Sequence, residues 1–199
     1  MKALPPISPN LITALRLPIA PIAVAFATQQ ETWGYVVAAF LAILLELTDL
    51  ADGWMARRYG YVTDFGKLFD PFSDAFCRFT LFLGLYAIGV ADLWMIMVIF
   101  YRDSSISFFR TVAAVRNVVL AARRSGKIKA LVQGIGTQVV FVALVLRAIL
   151  PGQDWLERLP WWTMLVMTVV TAASFVDYFQ ANLPLLRAAW DAPPDEDAA

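Results

Sequence analysis

Four aspartates, Asp49, Asp52, Asp70 and Asp74, lie close together in a chain that is otherwise strongly apolar on both sides of them. On a helix, Asp49, Asp52, Gly53 and Ala56 share one face through their i, i+3, i+4, i+7 spacing. Gly66, Asp70 and Asp74, four residues apart, form a second stripe. Facing carboxylates with no cation between them repel one another and resist ionisation, and a divalent metal site removes that conflict. All-oxygen ligands suit the hard ions Mg²⁺ or Mn²⁺, and one or two such ions would clamp a phosphate-bearing substrate. Gly53 and Ala56 leave room for a diphosphate to approach the backbone, and Arg57 can neutralise its oxygens. Asp64, in the connecting segment, reads as solvated or as a helix cap. Pro71 leaves open whether the second helix becomes regular only near Asp70.

The elements that carry these residues read as membrane helices. Of 199 residues 60% are hydrophobic and only 16% charged, too oily for an ordinary soluble domain. A span needs about 20 mostly apolar residues, and six stretches come close: 11–28, 33–50, 72–90, 93–115, 131–150 and 159–181. The expected fold is therefore all-α, a polytopic membrane protein with six transmembrane helices forming a single domain over residues 1–190, followed by an acidic, disordered tail at 191–199. The start of the chain shows no small-residue cleavage pattern, so the first apolar segment is expected to remain in the mature protein. Arg57, Arg58 and Lys67 follow the second span, and Arg123, Arg124, Lys127 and Lys129 follow the fourth. The positive-inside rule then puts both loops and both termini in the cytoplasm, at a cell (inner) membrane. Trp33, Trp94, Trp161 and Trp162 mark the outer interface. Most intramembrane charges, Arg16, Asp49, Asp52, Asp70, Asp74, Arg78, Arg110 and Asp177 among them, fall in the cytoplasmic half. A charge at a helix centre costs about 2.5–3.5 kcal/mol, so a polar cavity open to the cytoplasm is expected.

Other chemistries are excluded by composition. No histidine is present, which removes imidazole bases, phosphohistidine and His-rich metal sites. The single cysteine, Cys77, cannot form an intrachain disulfide and reads as a buried packing residue. Zero net charge gives no reason to expect nucleic acid.

Asp49, Asp52-Gly53, Ala56-Arg57, Gly66, Asp70 and Asp74, with the gaps between them, match every position of the signature of the CDP-alcohol phosphotransferase family, which the chain resembles over most of its length. The resemblance implies a six-helix, homodimeric membrane enzyme that moves a phosphatidyl or similar group from a CDP-linked donor to an alcohol and releases CMP. It implies that Asp49, Asp52 and Asp70 bind metal, that Asp74 touches a second ion and acts as the base, and that Asp49, Gly53, Ala56, Arg57 and Thr63 hold the CDP moiety. The segments from Pro9 to Arg16, Tyr101 to Arg110, Ser125 to Gln133 and Ser174 to Phe179 resemble the phosphatidylglycerophosphate synthase branch, whose substrates are CDP-diacylglycerol and glycerol 3-phosphate.

A phosphorylated acceptor would account for Arg102, Arg110, Lys127 and Lys129, since a phosphomonoester needs cationic partners. The lysines also fit the ordinary positive-inside pattern, and Arg102 with Asp103 also fits a structural ion pair. The chain departs from the branch at Asp103 for a glutamate, Ala75 for a lysine and Ala130 for a threonine. Arg78, one turn beyond Asp74, can restore the missing charge or pair with Asp74 or Glu46. Inositol phosphate, serine and phosphatidylglycerol remain alternative acceptors. A divalent-cation or proton-coupled transporter is the reading from a different class, because intramembrane carboxylates mark ion pathways, although their clustering on the inner side beside Gly53 and Arg57 favours nucleotide binding. An inactive relative is the third reading, and the intact signature argues against it.

Overall fold

The structure, a computed structural model, describes residues 9–59, 63–115 and 123–191. These form six helices and, among the described residues, no strand: α1 (Pro9–Ala27), α2 (Thr32–Tyr59), α3 (Asp64–Ala87), α4 (Leu93–Val115), α5 (Arg124–Ile149) and α6 (Asp154–Asp191). Of the expected acidic tail, Asp191 ends α6 and the remainder lies outside the described residues.

Pro71 does not delay α3, which begins at Asp64. The reason is a cap: Thr63 has extended backbone and its hydroxyl accepts the Gly66 N–H at 3.0 Å. Thr63, not Asp64, is the capping residue. Two of the three turns on the opposite side use glycine where the backbone needs positive φ, at Gly89 (75°) between α3 and α4 and at Gly152 (87°) between α5 and α6, whereas Gln30 (55°) takes it between α1 and α2.

The principal contacts run α1 with α2, α2 with α5, α5 with α6, α6 with α4, α4 with α3 and α3 with α1, so the helices close a ring. One end of its interior is filled by fully buried apolar side chains, including Phe82, Leu85, Phe141, Leu144, Met164 and Met167. Toward the other end lie buried Thr13, Arg16, Ser73, Lys129, Gln133, Thr171 and Ser174. At the apolar end the indoles of Trp94 and Trp161 both donate to Asp92 Oδ2, at 3.3 and 3.0 Å, tying the α3–α4 turn to α6. The outside of the ring exposes large apolar residues such as Leu15, Phe40, Leu47, Leu68 and Leu131, a surface suited to lipid rather than water.

Four helical segments are long and apolar enough to cross a membrane: Asn10–Ala27, Thr32–Met55, Arg124–Ile149 and Asp154–Pro184. Helices α3 and α4, with 24 and 23 residues, have the length at about 1.5 Å per residue. They are less apolar because they carry charges, Asp70, Asp74 and Arg78 on α3 and Arg102, Asp103 and Arg110 on α4.

Ring closure depends on a close approach of α1 to α3. A Cβ added at Gly84 would lie 2.5 Å from Val24 Cγ2 and 2.8 Å from its Cγ1, and a valine in a helix has little χ1 freedom with which to yield. Gly84→Ala is expected to lower the apparent Tm in detergent, overpacking costing about 1–3 kcal/mol against roughly 1 kcal/mol of helix propensity gained. An unchanged or raised Tm would show that α1 and α3 can separate freely.

Candidate active site

One turn of α1 reaches all three carboxylates whose side chains are described. Arg16, 3% exposed, donates from Nη1 to Asp49 Oδ1 on α2 at 2.7 Å and from Nη2 to Asp74 Oδ1 on α3 at 3.4 Å. Three residues earlier, the Thr13 hydroxyl donates to Asp70 Oδ1 at 3.1 Å. The i, i+3 spacing explains how one helix face serves two neighbours. The same turn is clamped to α3 by backbone bonds: Ser73 Oγ donates to the Thr13 carbonyl at 3.2 Å, and Cys77 Sγ to the Arg16 carbonyl at 3.4 Å. Cys77 is buried and reduced, as expected of a packing residue.

Arg78 Nη2 contacts Asp74 Oδ1 at 3.1 Å, one turn along α3, so of its two expected pairings the one with Asp74 is formed. Asp49 and Asp74 remain about one-third exposed, at 37% and 33%. Each of Asp49, Asp70 and Asp74 is therefore held through Oδ1, and among the described residues Oδ2 of each has no partner.

This donor set fits a hard divalent ion in chemistry: carboxylate oxygens that are oriented, partly exposed and not consumed by neighbours. Among the described residues no three carboxylates are already gathered into an ion-holding cluster. The expected ligand Asp52 and the expected donor contacts Ala56 and Arg57 are on α2, but their side chains lie outside what is described. Gly53, one residue on from Asp52, is half-buried on α2.

Thr63, expected at the donor, has structural work as well. Its Oγ1 accepts from Gly66 N and from Asn10 Nδ2 at 3.1 Å, which fills both lone pairs and leaves its own proton to donate. Asn10 and Gly66 are in close contact too, since a Cβ at Gly66 would meet Asn10 Oδ1 at 2.7 Å.

The four expected acceptor cations do not converge. Lys129, 8% exposed at its side chain, donates to both Asp103 oxygens at 2.9 and 2.8 Å, and Arg102 Nη1 binds Asp103 Oδ1 at 2.7 Å. The Arg102–Asp103 ion pair is thus real and includes Lys129. A phosphate there would meet one net positive charge, not two free cations. Lys127 and Arg110 are exposed and, among the described residues, carry no ion pair. Arg110 lies about 12 Å along α4 from Arg102. Asp177 is occupied by Arg123 and Ser125, at 2.8 and 2.5 Å.

Sequence patterning missed Thr13 and Arg16 as partners of the carboxylates. A usable signal existed: an arginine inside an apolar helix demands a buried counter-charge, and the aspartates were the available ones.

The family model for CDP-alcohol phosphatidyltransferases matches residues 6–175, most of the chain. The chain belongs to the CDP-alcohol phosphatidyltransferase family. Its similarity to curated members is broad. A CDP-diacylglycerol–glycerol-3-phosphate 3-phosphatidyltransferase of Treponema pallidum (strain Nichols) is 33% identical over 159 residues, covering 76% of this chain and 72% of that one. The protein of the same name from Bacillus subtilis (strain 168) is 30% identical over 196 residues, 90% of this chain and 96% of that one. The one from Rickettsia prowazekii (strain Madrid E) is 26% identical over 173 residues, 87% and 93% respectively. The family match spans Asp49, Asp52, Asp70 and Asp74 and both arginines that hold Asp74.

Proposed function

We propose that this protein transfers the phosphatidyl group of CDP-diacylglycerol to glycerol 3-phosphate, forming phosphatidylglycerophosphate and CMP. The observation that carries the reading is the set of three carboxylates anchored by Oδ1 to Thr13, Arg16 and Arg78 and presenting Oδ2, within a family whose similar members carry that activity in their names.

In this reading the acceptor hydroxyl attacks the phosphatidyl phosphorus, the bond to the CMP oxygen breaks, and the hydroxyl proton passes to Asp74 Oδ2. Arg16 and Arg78 hold Asp74 Oδ1, so the second oxygen is the one that faces the acceptor. Two Mg²⁺ or Mn²⁺ ions held by Asp49, Asp52, Asp70 and Asp74 would neutralise the diphosphate and ease departure of CMP. Gly53, Ala56, Arg57 and the Thr63 proton bind the donor's CDP group. Arg110 and Lys127, with the net charge of the Arg102–Asp103–Lys129 cluster, attract the acceptor phosphate.

We further propose that α3 and α4 also span the membrane, with the charged end of the ring and both termini at the cytoplasmic face and the tryptophan end outside. The protein acts as a homodimer in the inner membrane. A transporter is disfavoured because, among the described residues, fully buried Phe82, Leu85, Phe141 and Leu144 fill one end of the ring.

The test is purified protein with CDP-diacylglycerol and Mn²⁺ or Mg²⁺, offered glycerol 3-phosphate, inositol 1-phosphate, serine or phosphatidylglycerol separately. CMP release is expected with glycerol 3-phosphate. Release with a different alcohol alone would reassign the acceptor.

A further inference from the structure

Gln133 on α5 is completely buried, and so is Thr171 on α6. The Thr171 hydroxyl spends its only proton on the Met167 carbonyl, at 2.6 Å. Its oxygen can therefore only accept from Gln133 Nε2, at 2.9 Å. That fixes the amide in one orientation, with Gln133 Oε1 turned to α3, where it accepts from Arg78 Nη1 at 3.4 Å. With the amide reversed, an NH₂ group would face a guanidinium, two donors with no acceptor, at a site too buried for water to compensate. Arg78 is thus held between Gln133 and Asp74 Oδ1.

A second set of contacts lies beside it. Ser174 Oγ donates to the Thr171 main-chain carbonyl at 3.0 Å and accepts from Arg102 Nε at 3.1 Å, and Arg102 binds Asp103, which also binds Lys129. One polar path therefore runs from Asp49 through Arg16, Asp74, Arg78 and Gln133 to the Thr171 hydroxyl, and a second runs from Ser174 through Arg102 and Asp103 to Lys129.

We propose that Gln133 is a positioning residue for the transfer reaction: through Arg78 it fixes which oxygen of Asp74 is presented to the acceptor, and Thr171 fixes the orientation of the amide that does so. The inference rests on the proposed function, with Asp74 as the base. Gln133 acts through Arg78 and touches no substrate.

The experiment compares wild type, Gln133→Leu, Thr171→Val and the double variant for kcat, for KM of each substrate and for apparent Tm. Gln133→Leu is expected to lower kcat about tenfold and to change KM for CDP-diacylglycerol less than about twofold. Thr171→Val, which frees the amide to reverse, is expected to lower kcat about threefold. The double variant should match Gln133→Leu alone, because both act through one chain. Should Gln133→Leu fail to fold, Gln133→Glu takes its place: its carboxylate would draw Arg78 away from Asp74 and lower kcat at least as far. The proposal is overturned if kcat stays within about twofold in the single variants, or if the double variant's loss is the product of the two. Wild-type transfer to a different alcohol leaves this test intact with that acceptor. Wild type that releases no CMP with any acceptor would sink the proposed function and this inference together.

Discussion

Asp74→Asn is expected to lower CMP release by about 10²–10⁴-fold, the usual contribution of a positioned general base, while the protein still folds. The substitution keeps the shape and the hydrogen-bonding oxygen that Arg16 and Arg78 contact, but removes the charge and with it the ability to take a proton. Both guanidiniums then meet a neutral amide oxygen where they met a carboxylate, so some stability is lost as well. Thermal unfolding measured alongside the assay separates the two effects. Asp70→Asn, whose carboxylate is held by the neutral Thr13 hydroxyl rather than by an arginine, should also abolish release with a smaller change in Tm. Wild-type release by either variant would remove the carboxylate site from the mechanism.

Arg16→Met is the second large effect, and it falls on stability first. Removing one partner of a buried ion pair costs about 3–5 kcal/mol because the other charge is left unpaired. Asp49 and Asp74 are 37% and 33% exposed, so water offsets part of this and the lower end applies. A loss of that size lowers Tm by several degrees. Added Mn²⁺ should restore part of it in the variant, since a bound dication offsets the same carboxylate repulsion, and should shift wild type less. A Tm equal to wild type, or one indifferent to Mn²⁺, would mean that Arg16 is not what balances these charges. Activity is expected to fall with Arg16→Met even at saturating metal, because Asp49 loses the arginine that holds its Oδ1 and Asp74 keeps only Arg78.

The sequence displayed the helices because long apolar runs have few ways to satisfy their backbone in lipid, and it displayed the aspartates because their spacing repeats with the helical turn. Boundaries were harder. Pro71 pulled the expected start of α3 toward Asp70, whereas Thr63 as a cap starts it at Asp64, a signal that was present in the residue type itself. The partners of the aspartates were not legible, because which helix face meets which neighbour is decided by the ring and not by any one segment. The bond from Arg16 to Asp49 spans 33 residues, and that from Gln133 to Thr171 spans 38. Positive charge alone did not show the partners either: Lys129 and Arg102, read as cations for a phosphate, are both bound to Asp103, a residue whose position in the sequence suggested the Arg102 pair but not the lysine.

A group transfer is tested most directly by following the acceptor instead of the leaving group. Purified protein in detergent micelles would be given CDP-diacylglycerol, Mn²⁺ or Mg²⁺ and glycerol 3-phosphate labelled in its carbon skeleton, with label in the lipid extract and CMP counted together. The account predicts that label enters the lipid phase in a one-to-one ratio with CMP and that chelation of the metal stops both. CMP released while the label stays in water, or label entering lipid at full rate without divalent metal, would contradict it.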